Sequence, residues 1–383
     1  MKKYLAFLTF ILFVSCERNE NIEILQLLPI EPLEIPISES FNPDRTRAQY
    51  YESDSGEYLA ILNKTNFSIG IFELEKKQLD ISISLTKEGP NGVGLDNGFH
   101  ILAKDSIFLA TIPPEIKILN FDGELLQSIS LENKDNSVNF LSSNNEIPFL
   151  FSHNKLFGIQ PFFNDFFNIS ENDASSINPI YQVDFSTPIT ELSWLPIKRP
   201  SGFWDEGRKD ENLSWTDRFD SIVVAPYTDH RLWVISKREK KIISIIEAKA
   251  KSVNNFQILS ESDLGGDKGI VESLGKDRYE IIQYDKYRDV FYRFFFKSIN
   301  WEDYNLSPRK LFSNRPIVGI LVLDNTLSTI GEYVFDTHHI QPWNYFVGKK
   351  GLYVSTNNPN RDDFDENFLR YDIIRFEGLE YED

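Results

Sequence analysis

The chain has 383 residues, 41 % apolar and 26 % charged, the balance of a folded protein with room for one large all-β domain or two ordinary ones. Forty basic residues against 58 acidic ones give a net charge of −18, which argues against nucleic acid and anionic headgroups as partners and leaves cations and neutral ligands. With 31 phenylalanines and 16 tyrosines the composition favours pleated, half-buried surfaces.

Cysteine occurs once, as Cys16, so no intrachain disulfide can form. Met1-Lys2-Lys3 is a basic start, and Tyr4 to Val14 is an apolar run of signal-peptide length, too short to span a bilayer. Phe13-Val14-Ser15-Cys16 follows, with a small residue directly before the cysteine. This resembles a bacterial lipobox with Phe13 in place of the usual leucine. It predicts a signal peptide over 1–15, lipidation of Cys16 and a membrane anchor that does not span. The alternative is an ordinary secretory signal with an incidental cysteine. Residues 16–43 then read as a tether, because Pro29, Pro32, Pro36 and Pro43 oppose a helix or a central strand. Part of it, Ile22–Leu28, could instead add a strand to the last sheet.

From 44 to 383 the chain repeats short apolar strands joined by turns. Leu59–Asn63, Phe67–Phe72 and Leu79–Ile83 form a first unit. Gly89-Pro90-Asn91-Gly92 is a loop leading into a second, over 97–131. There Asp105–Ala110 is compact and apolar, Ile116–Asn120 alternates with a period of two, and Asp122-Gly123 predicts a two-residue hairpin before Leu125–Ile129. Phe149–Phe151 and Lys155–Ile159 make a third. The fourth matches the second most clearly: Asp220–Ala225 parallels Asp105–Ala110, Leu232–Ile235 takes the place of Ile116–Leu119, and Lys241–Ile245 closes the unit. A fifth runs from Tyr287–Tyr292 to Gly319–Asn325, and a sixth contains Gly351–Ser355 and Phe368–Ile373. No helix of consequence is required, although Ser307–Phe312 could form one turn.

Six strand-turn-strand units about 40–70 residues apart are the mark of radial repetition, since a small sheet cannot bury both faces until a ring of them closes. The predicted fold is an all-β, six-bladed β-propeller. A seven-bladed ring, with the insert at 160–217 hiding a blade, and a pair of β-sandwiches are the alternatives.

Three features together resemble a known family: Cys16 after its signal, Gly89-Pro90-Asn91-Gly92-Val93-Gly94, and Asp105-Ser106-Ile107-Phe108 with Ile118-Leu119-Asn120-Phe121-Asp122-Gly123. The chain is similar to the uncharacterised Bacteroidota lipoproteins grouped as domain of unknown function number 4221, and more loosely to their six-bladed propeller relatives. The resemblance implies a propeller and an envelope location, with the outer membrane as the site of anchoring. It supplies no catalytic residues.

Chemistry-bearing groups are few. Asp336-Thr337-His338-His339 places metal-ligating types side by side, although neighbours on a strand point to opposite faces. Asn358-Pro359-Asn360-Arg361-Asp362 spaces oxygen ligands alternately, as a calcium loop does, but Asp363 stands where glycine is needed and Leu369 where glutamate is. Asp336, His338, Asn358, Asn360 and Asp362 are thus the candidate metal ligands, with calcium the one cofactor considered. Asp229, His230 and Arg231 lie between two strands of the fourth unit, lining one face of the ring or forming a polar hairpin. The stretch from Trp194 through Trp204-Asp205 to Trp215 holds three of the six tryptophans among charged residues, as a sugar- or peptide-binding cleft would; the alternative is a loop packed onto the ring. No phosphate loop, nucleophile elbow or zinc helix is visible.

The reading is a membrane-anchored envelope propeller that binds a small molecule, glycan or protein partner through loops on one face. It is not read as an enzyme; the alternative is a calcium-dependent hydrolase or lactonase with a central-channel site, and a third reading is a scaffold in an outer-membrane assembly.

Overall fold

A computed structural model describes residues 23–131, 138–160, 170–186, 190–259 and 266–381. The expected signal peptide and Cys16 lie outside the described residues. Strands arrange into six sheets, each built on four antiparallel strands ordered from an inner to an outer one. The first blade runs Pro43–Ser53, Gly56–Asn63, Ser68–Glu73 and Gln78–Ser84, the second Leu95–Ala103, Ser106–Ile112, Glu115–Leu119 and Leu125–Ser130. Leu150–Ser152, Lys155–Ile159, Ile180–Asp184 and Glu191–Trp194 make the third, and Leu213–Arg218, Ser221–Pro226, Arg231–Ser236 and Lys241–Glu247 the fourth. The fifth contains Arg278–Asp285, Val290–Phe296, Val318–Leu323 and Thr329–Val334. The sixth contains Tyr345–Gly348, Gly351–Ser355 and Phe368–Ile374, with Glu31–Pro36 as its outermost strand.

Burial explains why these strands form a ring. The second strand of the first blade sends Tyr58, Ala60 and Leu62 into one core with Phe99, Ile107 and Leu109 of the second blade. It sends Leu59 and Ile61 into another core with Tyr353 and Tyr371 of the sixth. Middle strands are therefore apolar on both faces, as sheets covered on both sides require. The same holds around the circle: one shared core lies between each pair of adjacent blades, including the sixth and the first. The fold is a six-bladed β-propeller.

The N-terminal strand closes the ring, so the tether expected over 16–43 is, from residue 23 on, part of two sheets. Glu31–Pro36 pairs antiparallel with Phe368–Ile374, and Leu33 and Ile35 enter the core between sixth and first blades. Pro32 and Pro36 sit an even number of residues apart on the free edge of this strand. Their missing N–H groups face outward at no cost, while the Ile37 N–H turns inward to the Asn367 carbonyl at 2.8 Å. Glu23–Ile24 adds a parallel fifth strand to the fifth blade rather than to the last.

The supposed insert at 160–217 holds the outer half of the third blade and the first residues of the fourth, which removes the seventh-blade alternative. Asp122-Gly123 is not a two-residue hairpin either. Leu119 pairs with Leu125; the Asn120 side chain accepts from the Asp122 and Glu124 N–H groups at 3.0 and 2.9 Å, and only Gly123 has positive φ, +78°. The single turn anticipated at 307–312 is the helix Pro308–Ser313, capped by Ser307. It packs with Gly266–Leu274, a helix with no prior signal, around Leu274 and Leu311.

This strand order divides the loops between two faces. Tight turns join inner to second strands and third to outer strands on one face. The opposite face carries the second-to-third connections and the passages between blades, among them 195–212, 297–317, 335–344 and 356–367. Among the described residues, every candidate except Trp215 belongs to this long-loop face.

Candidate functional site: the long-loop face

The candidates of the fourth blade make their bonds within the fold. Arg231 grips Asp229 through Nε and Nη2, the closest contact being 2.8 Å. His230 Nδ1 lies 2.8 Å from the Tyr279 hydroxyl, and burial followed by the nearby Arg293 charge pushes its pKa down to about 4, so its ring is neutral. Trp204 is buried on the loop with its indole N–H on the Lys209 carbonyl at 3.2 Å, and Asp205 beside it is exposed. Trp215 belongs to the inner strand, 1 % exposed, donating to the Pro148 carbonyl at 2.8 Å.

The metal candidates fall on two neighbouring loops. Asp336 and Asp362 are exposed. His338 has φ +60° and meets the edge of the Tyr304 ring. Asn358 is fully buried, donating to the Ile340 carbonyl at 2.7 Å and accepting from the Asn360 N–H. It is His339 that bridges the loops, its Nε2 on Asp372 at 2.8 Å and its Nδ1 on Arg361 at 2.9 Å. Among the described residues no three His, Cys, Asp or Glu side chains converge as a metal would need.

Two hollows remain. The axial channel, about 220 Å³, is walled by inner strands with Gln49, Tyr50, His100, Thr216 and Gln283. Its lining is mixed, with Phe99, Ile282, Phe346 and Val347 beside those polar groups, and burial holds the His100 pKa at about 4. The larger hollow, about 920 Å³, is a groove on the long-loop face at the seam where the sixth blade meets the first. Asn42 and Arg45 come from the entry to the first blade, Lys64 and Thr65 from its next loop, and Gln341, Asn344, Asn357 and Glu366 from the two loops of the sixth. Tyr371 donates to Asn344 Oδ1 at 3.0 Å; Asn344 Nδ2 and the Ser355 hydroxyl both donate to Gln341 Oε1, at 3.4 and 3.0 Å. This relay fixes the Gln341 amide from behind. Its size falls within that of ordinary ligand sites.

Comparison with known proteins identifies the fold's relatives. The sequence pattern of the Domain of unknown function (DUF4221) family matches residues 25–333. The chain belongs to this family. A crystal structure of a DUF4221 member from Bacteroides vulgatus superposes with a TM-score of 0.80 at 22 % identity, covering 94 % of this chain and 99 % of that one. A protein of Bacteroides fragilis, described as a candidate exported protein, superposes at 0.53 with 12 % identity, covering 91 % and 95 %. No curated protein matches. At these identities the likenesses speak to the fold alone.

Sequence reasoning missed the residues that organise the mouth of the channel in this DUF4221 chain. Asn145 accepts from the Ala48 N–H at 2.9 Å and donates to the Arg45 and Trp343 carbonyls at 3.1 and 2.7 Å, tying third, first and sixth blades together. Beside it Glu280, fully buried, pairs with Arg278 and accepts from the Trp343 indole at 3.0 Å. Burial raises the Glu280 pKa against the pull of Arg278. Nothing local marks these positions: one asparagine or glutamate between apolar residues looks like any other until the ring brings the blades together.

Proposed function

We propose that this DUF4221 protein is an exported binding module, held at the cell envelope by a lipid on Cys16, that takes a soluble polar ligand on its long-loop face. The observation that carries the reading is the groove of about 920 Å³ at the seam of sixth and first blades. It is lined by groups able to hydrogen-bond, and it is built on loops fixed by rigid blades, the usual place for recognition. Export is supported by the basic and apolar start of the sequence and by the description of the Bacteroides fragilis neighbour.

Two experiments test the two halves. Cells expressing the chain with a radiolabelled fatty acid should label it and retain it in the membrane fraction, and Cys16→Ser should abolish both; a labelled Cys16→Ser protein contradicts the anchor. Thermal unfolding against soluble glycans and peptides should find a ligand that raises the midpoint by mass action. Gln341→Ala should remove that rise. A ligand whose effect survives Gln341→Ala binds elsewhere and contradicts the groove.

A further inference from the structure

We infer that the groove at the closing seam is built for a neutral oligosaccharide, an inference that rests on the reading of this groove as the ligand site. Charge gives the first argument. Of the cations lining it, Arg45 donates to Asn314 and Ser313, with its guanidinium over the Trp343 ring. Arg370 is spent on Glu34 and Asp363. Arg45's hydrogen-bond partners are neutral, so among the described residues Arg45 and Lys64 are the groove's cations without an ion pair, balanced by the unpaired carboxylates of Glu39 and Glu366. A phosphate or a uronate needs an excess of positive charge, and the groove has none.

Hydrogen-bonding capacity gives the second. The Tyr371–Asn344–Gln341 relay occupies Gln341 Oε1 twice, which leaves the two Nε2 hydrogens without a protein acceptor. The side chains of Asn42 and Thr65 are likewise exposed and without a protein partner. Amides and a hydroxyl that both donate and accept match sugar hydroxyls, which do the same.

The third argument is the Phe364 ring, 40 % exposed on the groove's rim. Its loop is pinned by Asn357, whose Nδ2 donates to the Asp365 and Phe368 carbonyls at 3.0 and 2.9 Å. A ring held in the open on a fixed loop presents a flat apolar face to the C–H side of a sugar without an ordering cost on binding. An extended peptide fits less well. The nearest free sheet edge is Glu31–Pro36, where Pro32 and Pro36 remove the donors that strand addition uses.

The test is calorimetric titration of the purified full chain with maltoheptaose, cellohexaose, xylohexaose, mannohexaose and laminarihexaose, with hexagalacturonic acid as the charged control. At least one neutral oligosaccharide should bind with a dissociation constant below about 1 mM. Gln341→Ala and Phe364→Ala should each weaken it at least tenfold while each variant still unfolds in a single cooperative transition, and the galacturonate should not bind. Absence of binding by all five, or equal binding of the galacturonate, overturns the sugar class. If peptides from a random library then bind in a manner that Gln341→Ala abolishes, the ligand class fails and the groove stands. Binding of any of these sugars that neither substitution weakens overturns the groove as well.

Discussion

The Arg293 guanidinium lies 3.4 Å from the centre of the Tyr279 ring, and both side chains are fully buried between the fourth and fifth blades. Its two terminal nitrogens donate to the carbonyls of His230 and Ala248, each at 3.1 Å, and of Pro226 and Asp229 at 2.8 and 2.7 Å. Burial lowers its pKa to about 10, so it stays charged and stitches four carbonyls of the fourth blade to a strand of the fifth. Tyr279 completes the joint by accepting from the Ala250 N–H at 2.9 Å. Arg293→Ala removes the guanidinium donors from four carbonyls, of which only that of His230 keeps a short bond, from the Ala248 N–H at 2.9 Å, and should cost about 3 kcal/mol of unfolding free energy. Arg293→Lys keeps the charge but cannot fork to all four, and should fall between. Urea unfolding measures both; an Arg293→Ala variant within about 1 kcal/mol of the parent contradicts the role of this joint.

Stability should fall from mildly acidic to mildly alkaline pH. Burial raises the Glu211 carboxyl to about 7, with Arg199 too far to offset it fully at 3.7 Å, and Glu280 is raised in the same direction. The folded state therefore holds these protons more tightly than the unfolded chain. The advantage is complete below the unfolded carboxylate pKa and is lost as pH rises from about 4.5 to 7. Surface carboxylates act oppositely: Asp289, clasped by Arg218, is held near 2, and its contribution is lost as pH falls below about 4. A thermal midpoint that peaks near pH 5 and is lower at pH 8, with a loss of unfolding free energy on the order of 1–3 kcal/mol, is expected. Glu211→Gln with Glu280→Gln should flatten the alkaline limb; an equally steep limb in the double variant refutes the assignment.

Trp215 should matter for stability and not for ligand binding. Its ring fills the core between third and fourth blades with Phe157, Leu213 and Val224. Trp215→Ala should cost about 3–5 kcal/mol in denaturant unfolding. Any ligand that raises the thermal midpoint of the parent should raise that of Trp215→Phe equally, and a ligand lost selectively in Trp215→Phe would place recognition in the wrong part of the ring.

The blades were legible in the sequence where both faces of a strand are buried. Ile107–Ala110 and Ile222–Ala225 are continuous apolar runs because neighbouring blades cover them on each side. Inner strands were legible less often, and the reason is the channel. Gln49, Thr216 and Gln283 face it and break the apolar pattern of Pro43–Ser53, Leu213–Arg218 and Arg278–Asp285. The outer strand Glu31–Pro36 was hidden by its prolines, which an edge tolerates. The groove was not legible at all. Asn42 and Gln341 are about 300 residues apart and meet only because the ring closes at that seam.

Closure by the N-terminal strand is the relationship on which both the fold and the groove depend. In the pairing described, Glu34 stands opposite Arg370, and the two side chains meet at 3.1 Å on the solvent side. Opposed residues of antiparallel strands sit within the Cα separation a disulfide accepts. In a Cys16→Ser background, Glu34→Cys with Arg370→Cys should oxidise to a disulfide in the native protein, run faster on a non-reducing gel and unfold at a higher temperature than its reduced form. Two free thiols that remain accessible to a labelling reagent in the folded, oxidised sample would contradict the closure, and with it the groove.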